Sequence, residues 1–242
     1  MRTIPFKRVN LLTTSAIFWF LGLFAMVTGC ATKTEPLHFS GFLDNYSGLR
    51  PSPDGSGAWS YRNPAADFKH YDKIMLDPLV IWPNQQSSYG GVDSLTAWKL
   101  GLAFQDRMSN ALTGGYTIVT EPGPGVLRLR AALTKVMLQR PGLASPGPLL
   151  PMAGDVLLQA SAKVYGMNAL EGEAAIEAEL LDATNQERLA AYVEDRVNDR
   201  VILTKDKDSL GPVLEIFDYW ARKLRQRLDE QRGLRENRTT GQ

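Results

Sequence analysis

The sequence predicts a single α/β (α+β) domain, in which one mixed or antiparallel sheet carries two main amphipathic helices packed on one face. Three patterns carry that prediction. Residues 126–139 and 176–193 alternate apolar and polar side chains with the two-residue period of strands. Residues 93–112 and 209–231 instead repeat apolar positions at threes and fours, the period of a helix with one buried face. Glycine and proline clusters separate these segments, as turns require.

Taken in chain order, residues 38–51 are aromatic-rich and punctuated by glycine, too apolar for a linker and too irregular for a long helix. They read as an ordered segment that lays Phe42, Leu43, Tyr46 and Leu49 on the domain body. Residues 51–66 hold three prolines and two glycines and read as loop, with Trp59 and Tyr61 as anchors. Residues 71–82 read as a strand with Pro78 at a bulge or edge. A second loop, 83–92, leads to a helix capped by Asp93 or Ser94. Its expected buried stripe is Leu95, Trp98, Leu102, Phe104, Met108 and Leu112, and Gly114-Gly115 stops it.

Residues 116–121 form a short strand and Gly123-Pro124-Gly125 a turn. In the strand 126–139 the apolar parity slips after Leu133, which calls for a bulge near Thr134-Lys135. Residues 141–154 make an unusually apolar, proline-rich loop, read as a covering flap in preference to a partner-facing element. Residues 155–165 lean to a short helix capped by Asp155. The hairpin then sets Ile176, Ala178 and Leu180 on one face and Glu177 and Glu179 on a solvated face, where Arg188 and Arg196 can meet the glutamates. In the final helix, Leu210, Leu214, Phe217, Ala221, Leu224 and Leu228 form the stripe beside Trp220. Docking onto the sheet is preferred there to lying on a membrane, because Asp218, Asp229 and Glu230 dilute its basic face. Residues 233–242 read as a disordered tail.

The first 29 residues have a different character. Arg2, Lys7 and Arg8 make a positive front, an apolar run extends from Leu11 to Val27, and small residues Thr28 and Gly29 precede Cys30, the chain's one cysteine. The run is shorter and more interrupted than the ~20 apolar residues a membrane span needs. The pattern resembles a bacterial lipoprotein signal peptide, cleaved between Gly29 and Cys30. The resemblance implies a diacylglyceryl thioether on Cys30 and two or three acyl chains in all, enough for lasting attachment. Ala31 follows where lipoproteins kept at the inner membrane often carry Asp, which leans toward the outer membrane. The organisation expected is therefore a cleaved signal at 1–29, a lipidated tether at 30–39, one domain at 40–232 and the tail.

Without its leader the chain loses three of 27 basic residues and none of its 26 acidic ones, leaving 24 − 26 = −2. That balance argues against a nucleic-acid footprint, which needs clustered Lys and Arg. With Cys30 consumed, no disulfide can form, and the 242 − 29 = 213 residues must be stabilised by their core.

Four segments together, Ser40–Leu49, Tyr71–Pro78, Glu177–Thr184 and Trp220-Ala221, resemble the bacterial lipoprotein family known as domain of unknown function 3313. One departure is Asn185, where glycine is expected in the hairpin turn, although Asn tolerates the left-handed conformation. The resemblance implies a membrane-anchored α/β domain and carries no catalytic residues with it.

The residues themselves offer little chemistry. His38 and His70 lack a partner at metal-ligand spacing, and neither a Gly-x-Ser-x-Gly elbow nor a phosphate-cradling glycine motif occurs. Asp44, Asp72 and Asp77 read as caps and turn residues. No cofactor, metal or nucleic acid is expected. The favoured reading is a non-enzymatic, periplasm-facing envelope component that joins the membrane through its lipid and contacts another envelope protein. The alternative is a small-ligand-binding or hydrolytic lipoprotein. Its cleft would be lined by Trp59, Tyr61, Trp82 and Tyr89, whereas Phe42 and Tyr46 of the opening segment are candidate interaction residues of the favoured reading.

Overall fold

The computed structural model describes residues 39–82, 92–141, 168–198, 202–204 and 210–233. The leader with Cys30, Tyr89, the proline-rich loop, the short helix expected at 155–165 and the tail after Gly233 lie outside the described residues. All described residues belong to one unit, Leu37–Gln242.

Nine strands are found among the described residues: β1 (Arg50–Pro51), β2 (Trp59–Arg62), β3 (Lys73–Leu76), β4 (Val80–Ile81), β5 (Thr117–Val119), β6 (Val126–Pro141), β7 (Asn168–Asp182), β8 (Arg188–Val197) and β9 (Ile202–Thr204). They form one mixed sheet in the order β1-β2-β8-β7-β6-β3-β5, with β4 on β6 and β9 on β7. The helices α1 (Ser94–Leu112) and α2 (Gly211–Gln231) complete the fold. The expected α/β class, with a mixed sheet and two helices, is what the chain adopts.

The long strands behave as their side-chain alternation predicts. β6 and β7 pair antiparallel, and their register shifts between Leu133 and Lys135. This bulge returns Val136 to the core side after Leu127, Leu129, Ala131 and Leu133, all buried. Pro78 divides the segment 71–82 into two short strands, each parallel to β6. Because β5 also runs parallel to β3, α1 is the return arm of a crossover. The stretch 51–66 is not loop throughout. Its β2 pairs antiparallel with β8, and β1 with β2, because Trp59 and Tyr61 sit in extended backbone against β8. In the β7–β8 turn the left-handed residue is Gln186, at φ 62°, and not Asn185. Asn185 Oδ1 instead accepts from the Glu187 amide at 2.8 Å.

Both helices lie over the face that presents Leu127, Leu129, Leu133, Ile176 and Leu180. Asp93 caps α1 by accepting from the amides of Leu95 and Thr96, each at 2.9 Å. Leu100, Phe104, Met108 and Leu112 are its buried row, and Phe104 meets Phe217 of α2 edge-on at 5.4 Å. Leu95, Trp98 and Leu102 do not join that row: they are 58, 60 and 50 % exposed. Successive residues turn by 100°, so these three sit across the helix from Phe104. In α2 the buried set is Val213, Ile216, Phe217, Trp220, Ala221 and Leu228, while Leu214 and Leu224 are only partly covered. At the far end of α1, Arg225 donates to the carbonyls of Ala111, Leu112 and Thr113 at 3.1–3.2 Å. It thereby satisfies acceptors that a helix end otherwise leaves open.

This orientation of α1 has a measurable consequence. Phe217→Ala, which empties a fully buried position, is expected to cost about 3–5 kcal/mol in urea unfolding, whereas Leu102→Ala is expected to stay within about 0.5 kcal/mol.

Candidate functional site

The opposite face of the sheet carries the polar half of the alternation. Arg128, Arg130 and Lys135 of β6, Glu173, Glu177 and Glu179 of β7, and Asp195 of β8 line it. At Glu177 and Glu179 it is not solvated as the alternation suggests. Glu177 is 0 % exposed and Glu179 3 %, because residues 39–49 lie across them. Phe42, Leu43 and Leu49 are buried there on Ala132, Ala191 and Val193. Those short side chains leave room for the covering segment.

Glu177 is the point of attachment. One carboxylate oxygen accepts from the Ser40 amide at 2.5 Å. The other accepts from the Tyr46 hydroxyl at 2.6 Å and the Leu43 amide at 3.3 Å. The Tyr46 oxygen in turn accepts from the amides of Gly41 and Leu43 at 2.7 and 3.2 Å. Gly41 stands at φ 90°, in the left-handed region where glycine escapes the Cβ penalty, and this bends the chain around the carboxylate. Burial first, and Glu177 second, push the Tyr46 phenol up to about 12.

A second buried glutamate fixes the other end of the segment. Glu179 sits between Arg130, at 2.6 Å, and Arg188, at 2.6 Å. Arg188 also donates to the carbonyl of Asn45 at 2.5 Å. Lys135 bridges Glu173 and Asp195, and Arg128 holds Asp77 at 2.8 Å. The pairing expected for Arg188 therefore forms, whereas Arg196 approaches Glu194 at 3.6 Å on the helix side of the sheet. There Glu194 accepts from Tyr192 at 2.8 Å and Trp220 at 2.6 Å.

Five of the six aromatic residues singled out in the sequence can be placed. Phe42, Tyr46, Trp59, Tyr61 and Trp82 all gather in this second cluster. Phe42 meets Trp82 edge-on at 5.4 Å, and Trp82 Nε1 donates to the Ser40 carbonyl at 3.3 Å. They pack the opening segment down; only Tyr61 of the five also borders the larger cleft described next. Tyr89 lies outside the described residues. No local pattern signals directly that Glu177 and Glu179 are buried. The single available signal was the apolar, glycine-bent segment 40–49, which needs a surface to cover.

A cleft of about 1010 Å³ lies on the helix side, between α2 and the β2 edge, bordered by Tyr61, Arg62, Tyr192, Tyr219, Lys223 and Arg227. Asp54, in the β1–β2 loop, closes one rim by pairing with Lys223 at 2.8 Å and Arg227 at 3.1 Å. Burial opposes ionisation of Asp54, but Lys223 and the hydroxyl and amide of Ser56 together outweigh it and hold the carboxyl far below the usual carboxylate range. Lys223 and Arg227 thus strap a loop, beyond any part they play at the end of their own helix. His70 pairs with Asp67 at 3.0 Å on the exposed surface. Among the described residues no cluster of three or more His, Cys, Asp or Glu side chains is arranged to hold a metal, and no helix is long and apolar enough to cross a membrane.

Comparison with known proteins gives a consistent family. A family model described as a protein of unknown function (DUF3313) matches residues 38–224. The uncharacterized lipoprotein YdcL of Escherichia coli K12 is 30% identical over 196 residues, which are 80% of this chain and 82% of that protein. Among solved structures, a PelC dodecamer from Paraburkholderia phytofirmans matches at 12% identity and a TM-score of 0.37, over 69% of this chain and 96% of its own. Protein XCC0632 of Xanthomonas campestris matches at 13% identity and 0.32, over 73% and 93%.

Two outcomes test the attachment. Tyr46→Phe removes a hydrogen bond to a buried carboxylate and is expected to cost about 1.5–3 kcal/mol, while Glu177→Ala costs about 3–5 kcal/mol in urea unfolding. The Tyr46 phenol ionises later in the folded chain than in the unfolded one, so its contribution is complete below pH ~10 and is lost as pH rises toward 12. A spectrophotometric titration of the phenols should lose one late-titrating group in Tyr46→Phe.

Proposed function

The chain belongs to the DUF3313 family of proteins of unknown function, and from that premise we propose that it is a lipid-anchored accessory component of the bacterial cell envelope, acting by contact and not by catalysis. In this reading, cleavage behind Gly29 exposes Cys30, whose sulfur takes the lipid. The domain then faces the periplasm from the inner leaflet of the outer membrane, the sorting that Ala31 favours. Its relatives include a curated lipoprotein, which supports the anchor.

The observation that carries the reading is the attachment at Glu177. Ser40 lies 40 − 30 = 10 residues beyond Cys30, and its amide is held by a carboxylate in the middle of the sheet. Ten extended residues span at most about 35 Å, so the domain stays within that distance of the lipid. The final covering of the sheet and the membrane tether are therefore parts of one continuous segment. The non-catalytic reading is supported by the commitment of the buried carboxylates. Glu177, Glu179 and Glu194 are all engaged by amides, phenols, indole or guanidinium groups, which leaves them occupied with holding the fold. An envelope protein is the proposed partner, with no cofactor, metal or nucleic acid involved. A second reading, binding of a small ligand, draws on the cleft beside Tyr192 and Tyr219.

Fractionation and crosslinking of Cys30→Ser test the proposal. The wild-type protein should sediment with membranes and crosslink to an envelope protein, and Cys30→Ser should be released in folded form and lose that crosslink. Membrane retention of Cys30→Ser would contradict the anchor, and recovery of a small molecule with no protein partner would favour the cleft.

A further inference from the structure

The cleft on the helix side is open where the rest of the core is closed. Ala178 of β7, Ala190 of β8 and Leu224 of α2 border the same space, and all three are only partly buried. On the opposite face of the sheet the short side chains of Ala132 and Ala191 are covered by the opening segment. Ala178 and Ala190 are left without that cover, and the space above them is the cleft. Its volume of about 1010 Å³ is that of a large small-molecule site. Phe104, Met108, Leu129, Ile176 and Leu180 line its depth, all apolar and buried. The Tyr192 hydroxyl and the Trp220 indole N–H also border it, but both donate to Glu194.

The mouth has the opposite chemistry. Lys223 and Arg227 stand one turn apart on α2, and Arg62 of β2 shares their rim. Lys223 lies 5.0 Å from the centre of the Tyr219 ring and Arg227 4.9 Å from that of Tyr192, so aromatic faces hold both cations at the opening. Arg62 donates to Gln231 at 2.5 Å and pairs with no carboxylate among the described residues. Asp54 Oδ2 alone meets both Lys223 and Arg227, while its Oδ1 accepts from the Ser56 amide and hydroxyl. Three cations thus face one carboxylate. The exposed Arg222 and Glu230 at the outer rim offset each other, and Glu179 is neutralised by Arg130 and Arg188.

We infer that the cleft binds a single-chain amphiphile with an anionic head, a long-chain fatty acid or a monoacyl phospholipid. Its chain lies over Ala178 and Ala190 beneath α2, and its head takes the place of Asp54 on Lys223 and Arg227, within reach of Arg62. The inference names the ligand for the small-ligand reading of the cleft and rests on that reading, not on the lipid anchor. Apolar depth and basic mouth together select this chemistry. A sugar or a peptide carries donors and acceptors along its length, and each one left unpaired among Phe104, Leu129 and Ile176 is costly. An acyl chain carries none. A neutral apolar molecule would leave the cations unused, whereas a carboxylate or phosphate accepts charge-assisted hydrogen bonds from them.

The test uses the full, lipidated protein in vesicles of phosphatidylethanolamine and phosphatidylglycerol, with palmitate carrying a diazirine at its chain end as the probe. Illumination should label the peptides that hold Ala178, Ala190 and Leu224 above all others. Lys223→Gln combined with Arg227→Gln should raise the probe concentration for half-maximal labelling about tenfold. Asp54→Asn should lower it, because the head no longer competes with a carboxylate. If Asp54 only braces the fold, Asp54→Asn weakens labelling instead; thermal unfolding is followed in both variants. The uncharged methyl ester of the probe should label weakly. Displacement by unlabelled palmitate or by monoacyl phosphatidylglycerol supports the inference and tells which head is preferred. Label scattered over surface peptides, equal labelling by the ester, or labelling unchanged in both variants overturns it. So does label that enters only after residues 234–242 are removed, which would make the chain's own tail the occupant. Small molecules extracted from protein purified from cells are identified separately. One of another class, held in the cleft, overturns this inference and leaves the small-ligand reading standing, whereas no extracted molecule and no label overturn both.

Discussion

The carboxylate of Glu177 is the interaction on which this domain depends. A charge in the centre of a sheet is costly unless every lone pair finds a donor, and Glu177 obtains its donors from residues 40–46 of its own chain. The same segment brings Phe42, Leu43 and Leu49 to cover the sheet. Hydrogen bonding and apolar burial are thus coupled in one element. Without the segment, Glu177 and Glu179 would face water and the small side chains of Ala132, Ala191 and Val193 would be uncovered. Without the glutamates, the segment would lose the acceptors that fix its bend at Gly41.

The two faces of the sheet are stabilised by different means. On the helix side, Phe104, Phe217 and Trp220 lie among leucines and isoleucines in the larger core. On the other side, ion pairs run across β6, β7 and β8, and the opening segment with its aromatic side chains covers the part around Glu177 and Glu179. The family-like segments meet in space across this framework. Ser40–Leu49 closes over Glu177 and Glu179, while the Tyr71 hydroxyl donates to Asp182 at 2.8 Å and Trp220 to Glu194. Residues that share chemistry in sequence-distant motifs therefore serve one purpose, the joining of the opening segment, the hairpin and the last helix.

Much of this was legible beforehand, for identifiable physical reasons. The slip in parity after Leu133 can be accommodated only by a bulge, and the register shift occurs there. Asp93 and Gly114 mark the ends of α1 because caps and left-handed stops are local chemistry. Other features depend on tertiary partners and left no local trace. Alternation separates two faces but does not say what covers the polar one, so the glutamates of β7 read as solvated. In α1 two apolar rows share one sequence, and period alone merges Leu95, Trp98 and Leu102 with the row that reaches Phe217. The β1–β2 edge sits in a proline- and glycine-rich stretch because an edge strand can be short, and Trp59 and Tyr61 supply its hold on β8. Of the candidate site, the aromatic residues were visible and their purpose was not: packing, with Tyr61 alone also touching the cleft.

Residues 40–46 are an integral part of the fold and not the loose end of a tether. Native-state hydrogen exchange of the Ser40, Gly41 and Leu43 amides tests it most directly, read against the amides at the centre of β7. Protection at these three positions should approach that of β7, because their opening exposes a buried carboxylate. Exchange near the rate of an unstructured peptide would contradict it.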